Sequence, residues 1–214
     1  MNTIKLLFFA IVILFSINLN AQADLKIGLN AGLNYPDVRG NELAKFNNFK
    51  VGYLVGVSLD YYLKENLSIK TNVNYERKIE KLELTFFNNQ AQEVGTETYN
   101  ETFDFINIPI LLKYEFGNSK FFVNGGPFLN YLLKNEIDED YPRDNSELVS
   151  EQKNIDFGLS LGIGTNITLN EKNDLIIELR NDFGLIDTGG VPNRVNGTLK
   201  TNAIKLILGW NLGI

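Results

Sequence analysis

A chain of 214 residues with no cysteine and no histidine has no disulfide, no lipid-modified cysteine and no thiolate. It also lacks the usual zinc ligand and the usual base at neutral pH, which removes most hydrolase templates. A net charge of -6 and a pI near 4.8 leave no basic footprint for nucleic acid, and the length suits one domain with a sizeable core or barrel.

The chain opens with Lys5, an apolar run from Leu6 to Ile17, and then Asn20, Ala21, Gln22 and Ala23. That order of basic start, short greasy middle and small residues predicts a Sec-type signal peptide over 1–21, with cleavage after 21 or after 23. The run is short for a membrane-spanning helix. The mature domain is then 22–214.

Strand one is expected from Leu25 to Tyr35, with Leu25, Ile27, Leu29, Ala31, Leu33 and Tyr35 on one face and Lys26, Gly28, Asn30, Gly32 and Asn34 on the other. A polar connection leads to strand two, Lys50 to Leu63, where Leu54 is the one apolar residue on the polar face. Strand three starts at Leu67 after a short turn and alternates to Glu76. Residues 77–101 read as a long polar excursion, with an alternating piece from Ile79 to Phe87 that extends the strand beyond a membrane.

Residues 102–133 read as a hairpin turning at Gly117 to Lys120. A loop of Asn118 and Ser119 places Tyr114 opposite Val123, Ile110 opposite Pro127, Lys113 opposite Asn124 and Asn107 opposite Asn130. One face is then apolar and aromatic; the other carries amides, charge and glycine. Pro109 and Pro127 lack an amide donor in mid-strand, which predicts a bulge or local distortion. An acidic loop over 134–152 precedes strand six, Asn154 to Leu169, which alternates most regularly. Strand seven carries Leu175, Ile177, Leu179, Phe183 and Leu185 against Asp174, Glu178, Arg180 and Asp182. A Gly- and Asn-rich loop, Asp187 to Gly197, leads to a last strand ending near Gly213.

About eight antiparallel strands follow, but alternation alone does not say which face is inside. The apolar side chains are too many and too large for the bore of an eight-stranded barrel. The polar face is rich in Gly, Ser and Asn, as a narrow lumen requires, and short links alternate with long ones, as in outer-membrane barrels. The expected architecture is a closed, up-and-down, all-β transmembrane barrel whose last strand pairs with its first, because an open edge in hydrocarbon strands backbone hydrogen-bonding groups. Tyr61, Tyr114, Phe116, Phe121 and Trp210 near the short-turn end, and Tyr53, Tyr75, Tyr131 and Phe183 near the other, form two candidate aromatic girdles.

The segments INIPILLKYEFG and FFVNGGPFLNYLL, with DFGLSLGIG and ELRNDFGLID, resemble the PorT-like family of small outer-membrane β-barrels. The resemblance implies a non-enzymatic porin-like protein, with secretion support or surface binding as its task. The implied partners are outer-membrane lipid, the barrel-assembly machinery during insertion, and envelope or secretion-system proteins. Many such barrels end on an aromatic residue, whereas here the last aromatic is Trp210.

The predicted lumen gathers Lys70, Glu76, Lys113, Glu115, Asp156, Glu178, Arg180, Asp182 and Lys205, with Lys26, Lys50 and Asp60. Opposite charges in a narrow interior should pair, forming a polar plug; a narrow solute channel is the alternative. Glu178 and Asp182 are spaced too generically to name an acid and a base. Asp138, Glu139 and Asp140 lack the spacing of a calcium loop, and Asp187 to Gly190 reads as a flexible turn without the lysine of a phosphate loop. No catalytic, cofactor or metal residue is expected. A soluble lipocalin-like binder of small apolar ligands would need the opposite orientation, with the apolar face inside.

Overall fold

The computed structural model describes residues 25–40, 48–117, 120–140, 152–170, 172–189 and 197–213. The proposed signal peptide lies outside these residues, as do Asn118, Ser119 and Gly190. Eight strands account for most of the rest: β1 (Leu25–Arg39), β2 (Asn48–Lys64), β3 (Leu67–Phe87), β4 (Glu93–Glu115), β5 (Phe121–Ile137), β6 (Ile155–Asn170), β7 (Asn173–Gly184) and β8 (Lys200–Gly213). Each pairs antiparallel with its neighbours in sequence, and β8 closes on β1 from Lys26↔Gly213 to Arg39↔Lys200. The sheet has no edge around the ring.

Alternation fixes the two walls. Along β6, Asp156, Gly158, Ser160 and Gly162 face inward, while Phe157, Leu159, Leu161 and Ile163 point outward, Leu161 with 70% of its surface exposed. Lys70, Lys113, Arg180 and Lys205 are instead sealed inside. This orientation excludes the lipocalin-like alternative. Two inner-wall glycines show how little room the bore has. A Cβ at Gly28 would sit 2.0 Å from Asn211 Oδ1, and one at Gly164 would sit 2.4 Å from Phe122 Cζ.

The central hairpin keeps the expected register at Tyr114↔Val123, Lys113↔Asn124 and Asn107↔Asn130. Gly117 turns the chain with φ 50°, a backbone conformation open to glycine. The prolines perturb it less than a bulge would. Pairing lapses between Pro109↔Phe128 and Leu112↔Gly125, and again between Thr71↔Ile110 and Asn74↔Asn107, but resumes each time in the same register. Thr71 Oγ1 donates to the Pro109 carbonyl at 2.9 Å. The register shift in this hairpin falls instead between Asp104 and Phe105.

Three expectations are corrected. Residues 77–101 are not a polar loop: the alternating piece from Ile79 to Phe87 extends β3 as expected, and β4 pairs with it as far as Phe87↔Glu93. Their pairing to β2 ends at Asn48↔Lys81 and to β5 at Glu101↔Ile137, so residues 82–100 form a two-stranded ribbon standing clear of the ring. Its tip is ordered by Asn88, whose side-chain oxygen accepts from the amides of Gln90 and Gln92 at 2.9 and 3.0 Å. Lys50 does not enter the lumen, because a register shift between Lys50 and Tyr53 turns it outward, where it donates to Asn100 Oδ1 at 2.6 Å. Finally, the hairpin's inner face is not purely polar: Leu111, Phe122 and Phe128 are buried in it.

Candidate functional site: the filled lumen and its outer mouth

The short-turn end is closed by charge. Lys26 pairs with Asp174 at 2.6 Å, and Lys113 reaches Glu115 at 2.9 Å and Asp60 at 3.2 Å. Tyr62 donates its hydroxyl to Glu115 at 2.8 Å. Glu115 is thus at the rim of the network, half-buried, while Lys113 and Asp60 are fully inside.

One layer further in, Glu178 accepts from Arg180 at 2.7 Å, Lys70 at 2.9 Å and Asn124 at 2.8 Å. The ring of Phe122 lies beneath two of these cations, 4.6 Å from Lys113 Nζ and 5.5 Å from Lys70 Nζ. In the next layer Lys205 bridges Glu76 at 2.8 Å and Asp182 at 2.5 Å, while Ser160 donates to Asp182 and Asn34 to Glu76.

Between these layers an amide relay crosses the bore. Asn30 donates to Asn74 at 2.6 Å, Asn74 to Asn107 at 3.2 Å, Asn107 to Asn130 at 2.6 Å and Asn130 to Asp156 at 3.0 Å; Thr201 also donates to Asp156, at 2.7 Å. Asn74, Asn107, Asn130 and Asp156 are register partners on successive strands. Their side chains therefore meet without reaching.

Such pairing is what a low-dielectric interior demands, since an isolated buried charge costs several kcal/mol. The structure brings together Lys70, Glu178 and Arg180, and separately Glu76, Asp182 and Lys205; Asp156 joins the relay. Of the apolar filler, the alternation singled out Leu54 alone. Leu111, Phe122 and Phe128 are sealed with it among the polar groups, with Ile176 and Ile207 nearby in the ring. The available signal was an apolar residue at polar parity within runs such as ILLKY and KFF.

On the outer wall, Tyr114, Phe116, Phe121 and Trp210 are exposed toward the short-turn end, and Tyr53, Tyr131 and Phe183 toward the other; Tyr61 and Tyr75 are half-buried. Sequence reading missed the ion pair among the upper rings. Arg77 grips Asp104 through two 2.7 Å bonds and donates to the Tyr75 hydroxyl at 3.0 Å. Arg39 stacks on Phe183 at 3.5 Å.

At the long-loop end two connections are tied together. Asp187 accepts from Lys153 Nζ at 2.7 Å and from the Leu199 amide at 2.8 Å, and Lys153 N donates to the Thr188 carbonyl at 2.8 Å. The Lys153 bond, then the Leu199 amide, hold the Asp187 carboxyl below its ordinary pKa. Asp187 to Gly189 is accordingly a fastened segment and not the flexible turn expected. Asp138 accepts from Asn100 at 2.8 and 3.1 Å, and no cluster of metal-ligating side chains occurs among the described residues.

Residues 20–189 match a family model described as outer membrane protein beta-barrel domain. No curated protein matches the chain. Among solved structures it is similar to the outer membrane protein OprG from Pseudomonas aeruginosa, at 12% identity and a TM-score of 0.56, covering 90% of this chain and 96% of that one. It also aligns with Neisserial surface protein A at 15% identity and a TM-score of 0.49, covering 88% and 96% of the two chains. At such identity the likeness to OprG concerns the fold alone.

Proposed function

We propose, for a chain that belongs to the outer membrane protein β-barrel domain family and resides in the outer membrane, a non-enzymatic role as a closed scaffold. It anchors in lipid and holds the β3–β4 ribbon outside for protein partners of the envelope. The observation that carries this reading is the filled bore: Arg180, Lys113, Lys205, Glu76, Glu178, Phe122 and Phe128 are all sealed, in a cylinder whose interior is just wide enough for side chains.

The ribbon supports the second half of the reading. It rises about 20 Å beyond the ring at ~3.4 Å per residue, pairs with no third strand among the described residues, and exposes Phe86, Phe87 and Val94. Free strand edges are ready templates for adding another strand. The PorT-like motifs support a partner from a secretion system, and the aromatic girdles with the Arg77–Asp104 pair suit the lipid boundary. By the rule for such barrels the short turns face the periplasm and the ribbon faces outward.

Two measurements test this. In planar bilayers the folded protein is expected to show no steady conductance; ohmic single-channel steps would replace the scaffold with a narrow channel. Deleting residues 84–97 and closing the hairpin with a two-residue turn should leave the barrel folded and remove the envelope proteins that co-purify with the full chain. An unchanged set of partners would remove the ribbon's role.

A further inference from the structure

Four lysines are buried in the described part of the barrel: Lys70, Lys78, Lys113 and Lys205. Three hold a carboxylate at 2.5 to 3.2 Å. Lys78 is the exception. Its Nζ lies 4.9 Å over the ring of Phe105, and among the described residues no carboxylate pairs with it. An aromatic face attracts an ammonium, but it does not neutralise one, and a buried ammonium without a counter-charge is costly.

The place where this happens is a cavity at the outer mouth of the lumen, above the amide relay. Val38, Phe49, Phe103, Phe105 and Leu199 wall it together with Lys78, around a cavity of about 50 Å³. Phe103 and Phe105 stack within it at 6.5 Å and 19°. Glu80 also borders the cavity and has a partner of its own. The Asp187 clamp fixes one side, because Thr188 and Leu199 are hydrogen-bonded to each other there. Among the described residues the rest of the lumen is filled, so this chamber is a blind pocket facing the long-loop end.

We infer that this mouth binds a small amphipathic anion, a carboxylate carrying a short hydrocarbon chain. Its head pairs with Lys78 and the first carbons of its tail lie against Phe103, Phe105 and Phe49, with the rest leaving through the mouth. The carboxylate supplies the counter-charge that the other three buried lysines already have, and the aromatic walls remove the start of the chain from water. Inorganic anions would gain only the first of these contacts and neutral alkanols only the second. The site is independent of the ribbon and of whether the bore conducts.

The test uses the full mature chain in lipid nanodiscs, with octanoate as probe and empty nanodiscs subtracted to remove partitioning into lipid. Octanoate should bind saturably at one site per barrel. Octanol and acetate should each bind at least about tenfold more weakly, the loss of one charged contact or of the buried chain. Lys78→Met should weaken octanoate by a similar factor and abolish the preference for octanoate over octanol. Lys134→Met, on the exposed outer surface, should change nothing. Folding of each variant is checked by its heat-shifted gel mobility. If Lys78→Met does not fold, the comparison of octanoate with octylamine on the unaltered chain decides, with octylamine expected to be excluded. Non-saturable uptake, equal binding of octanoate and octylamine, or full octanoate affinity in folded Lys78→Met would each overturn the assignment.

Discussion

Ser160 and Leu161 are neighbours in one strand and live in opposite solvents. Ser160 is sealed against Asp182 in the bore, while Leu161 exposes more of its surface than any other large apolar residue described. The inner wall of the barrel is a polar solid held by charge pairs and amides; the outer wall is a greasy belt turned away from most of its own chain. The inner wall therefore depends on specific contacts, and the outer wall depends only on being surrounded by acyl chains. Substitutions on the two walls should fail in different ways.

The largest effect is expected inside. Lys205→Met leaves Glu76 and Asp182 buried without their shared cation, at a cost of about 3–5 kcal/mol, read as a lower urea midpoint for unfolding from lipid vesicles. Adding Glu76→Gln to that variant should restore most of the loss, because Asp182 then balances Arg180, which shares Glu178 with Lys70. A single variant as stable as the parent would mean that the network is not holding the wall.

Leu161→Arg probes the other wall. At the bilayer midplane it should cost about 2–4 kcal/mol in the same assay, although Leu161 makes few contacts with its own chain. A substitution so exposed would be nearly neutral on a protein surrounded by water. The contrast is sharpest between detergent and bilayer, since the penalty should grow with the thickness of the hydrocarbon around the barrel.

The smallest effect belongs to the loops. Asp187 has a folded pKa below its unfolded value, so its contribution to loop order is fully present above about pH 3.9 and is lost as pH falls through the lower folded value. Amide exchange at Leu199 should accelerate at that acid limit, and Asp187→Asn should show the faster exchange already at neutral pH. Barrel stability should scarcely move in either case.

Much of this was legible in the sequence because period two is an unambiguous signal when one face is greasy. The strands, the ring, the facing of Lys113 with Asn124 and of Asn107 with Asn130, and the separation of the walls all follow from it. Of the ribbon over 82–100, the first arm was legible in the alternation from Ile79 to Phe87, and the returning arm was not. A two-stranded hairpin in water has both faces wet, so NNQAQEVGTETYN offers no greasy period to read. Phe122 and Leu111 were hidden for the opposite reason: in FFV and ILLKY both parities are apolar, and only the neighbouring turn tells which residue enters the bore. Partners such as Lys70 with Glu178, or Lys205 with Glu76, belong to strands far apart in sequence and meet only when the ring closes. Lys50 was misplaced by a single register shift, which reverses every side chain beyond it.

The orientation of the walls can be measured directly by placing tryptophan at position 161 in a chain carrying Trp210→Phe, and reconstituting it in bilayers whose acyl chains are brominated at defined depths. With Leu161's position facing lipid, quenching should be strongest for bromines near the bilayer centre, with no response to iodide in the buffer. Quenching by aqueous iodide and none by brominated chains would contradict it.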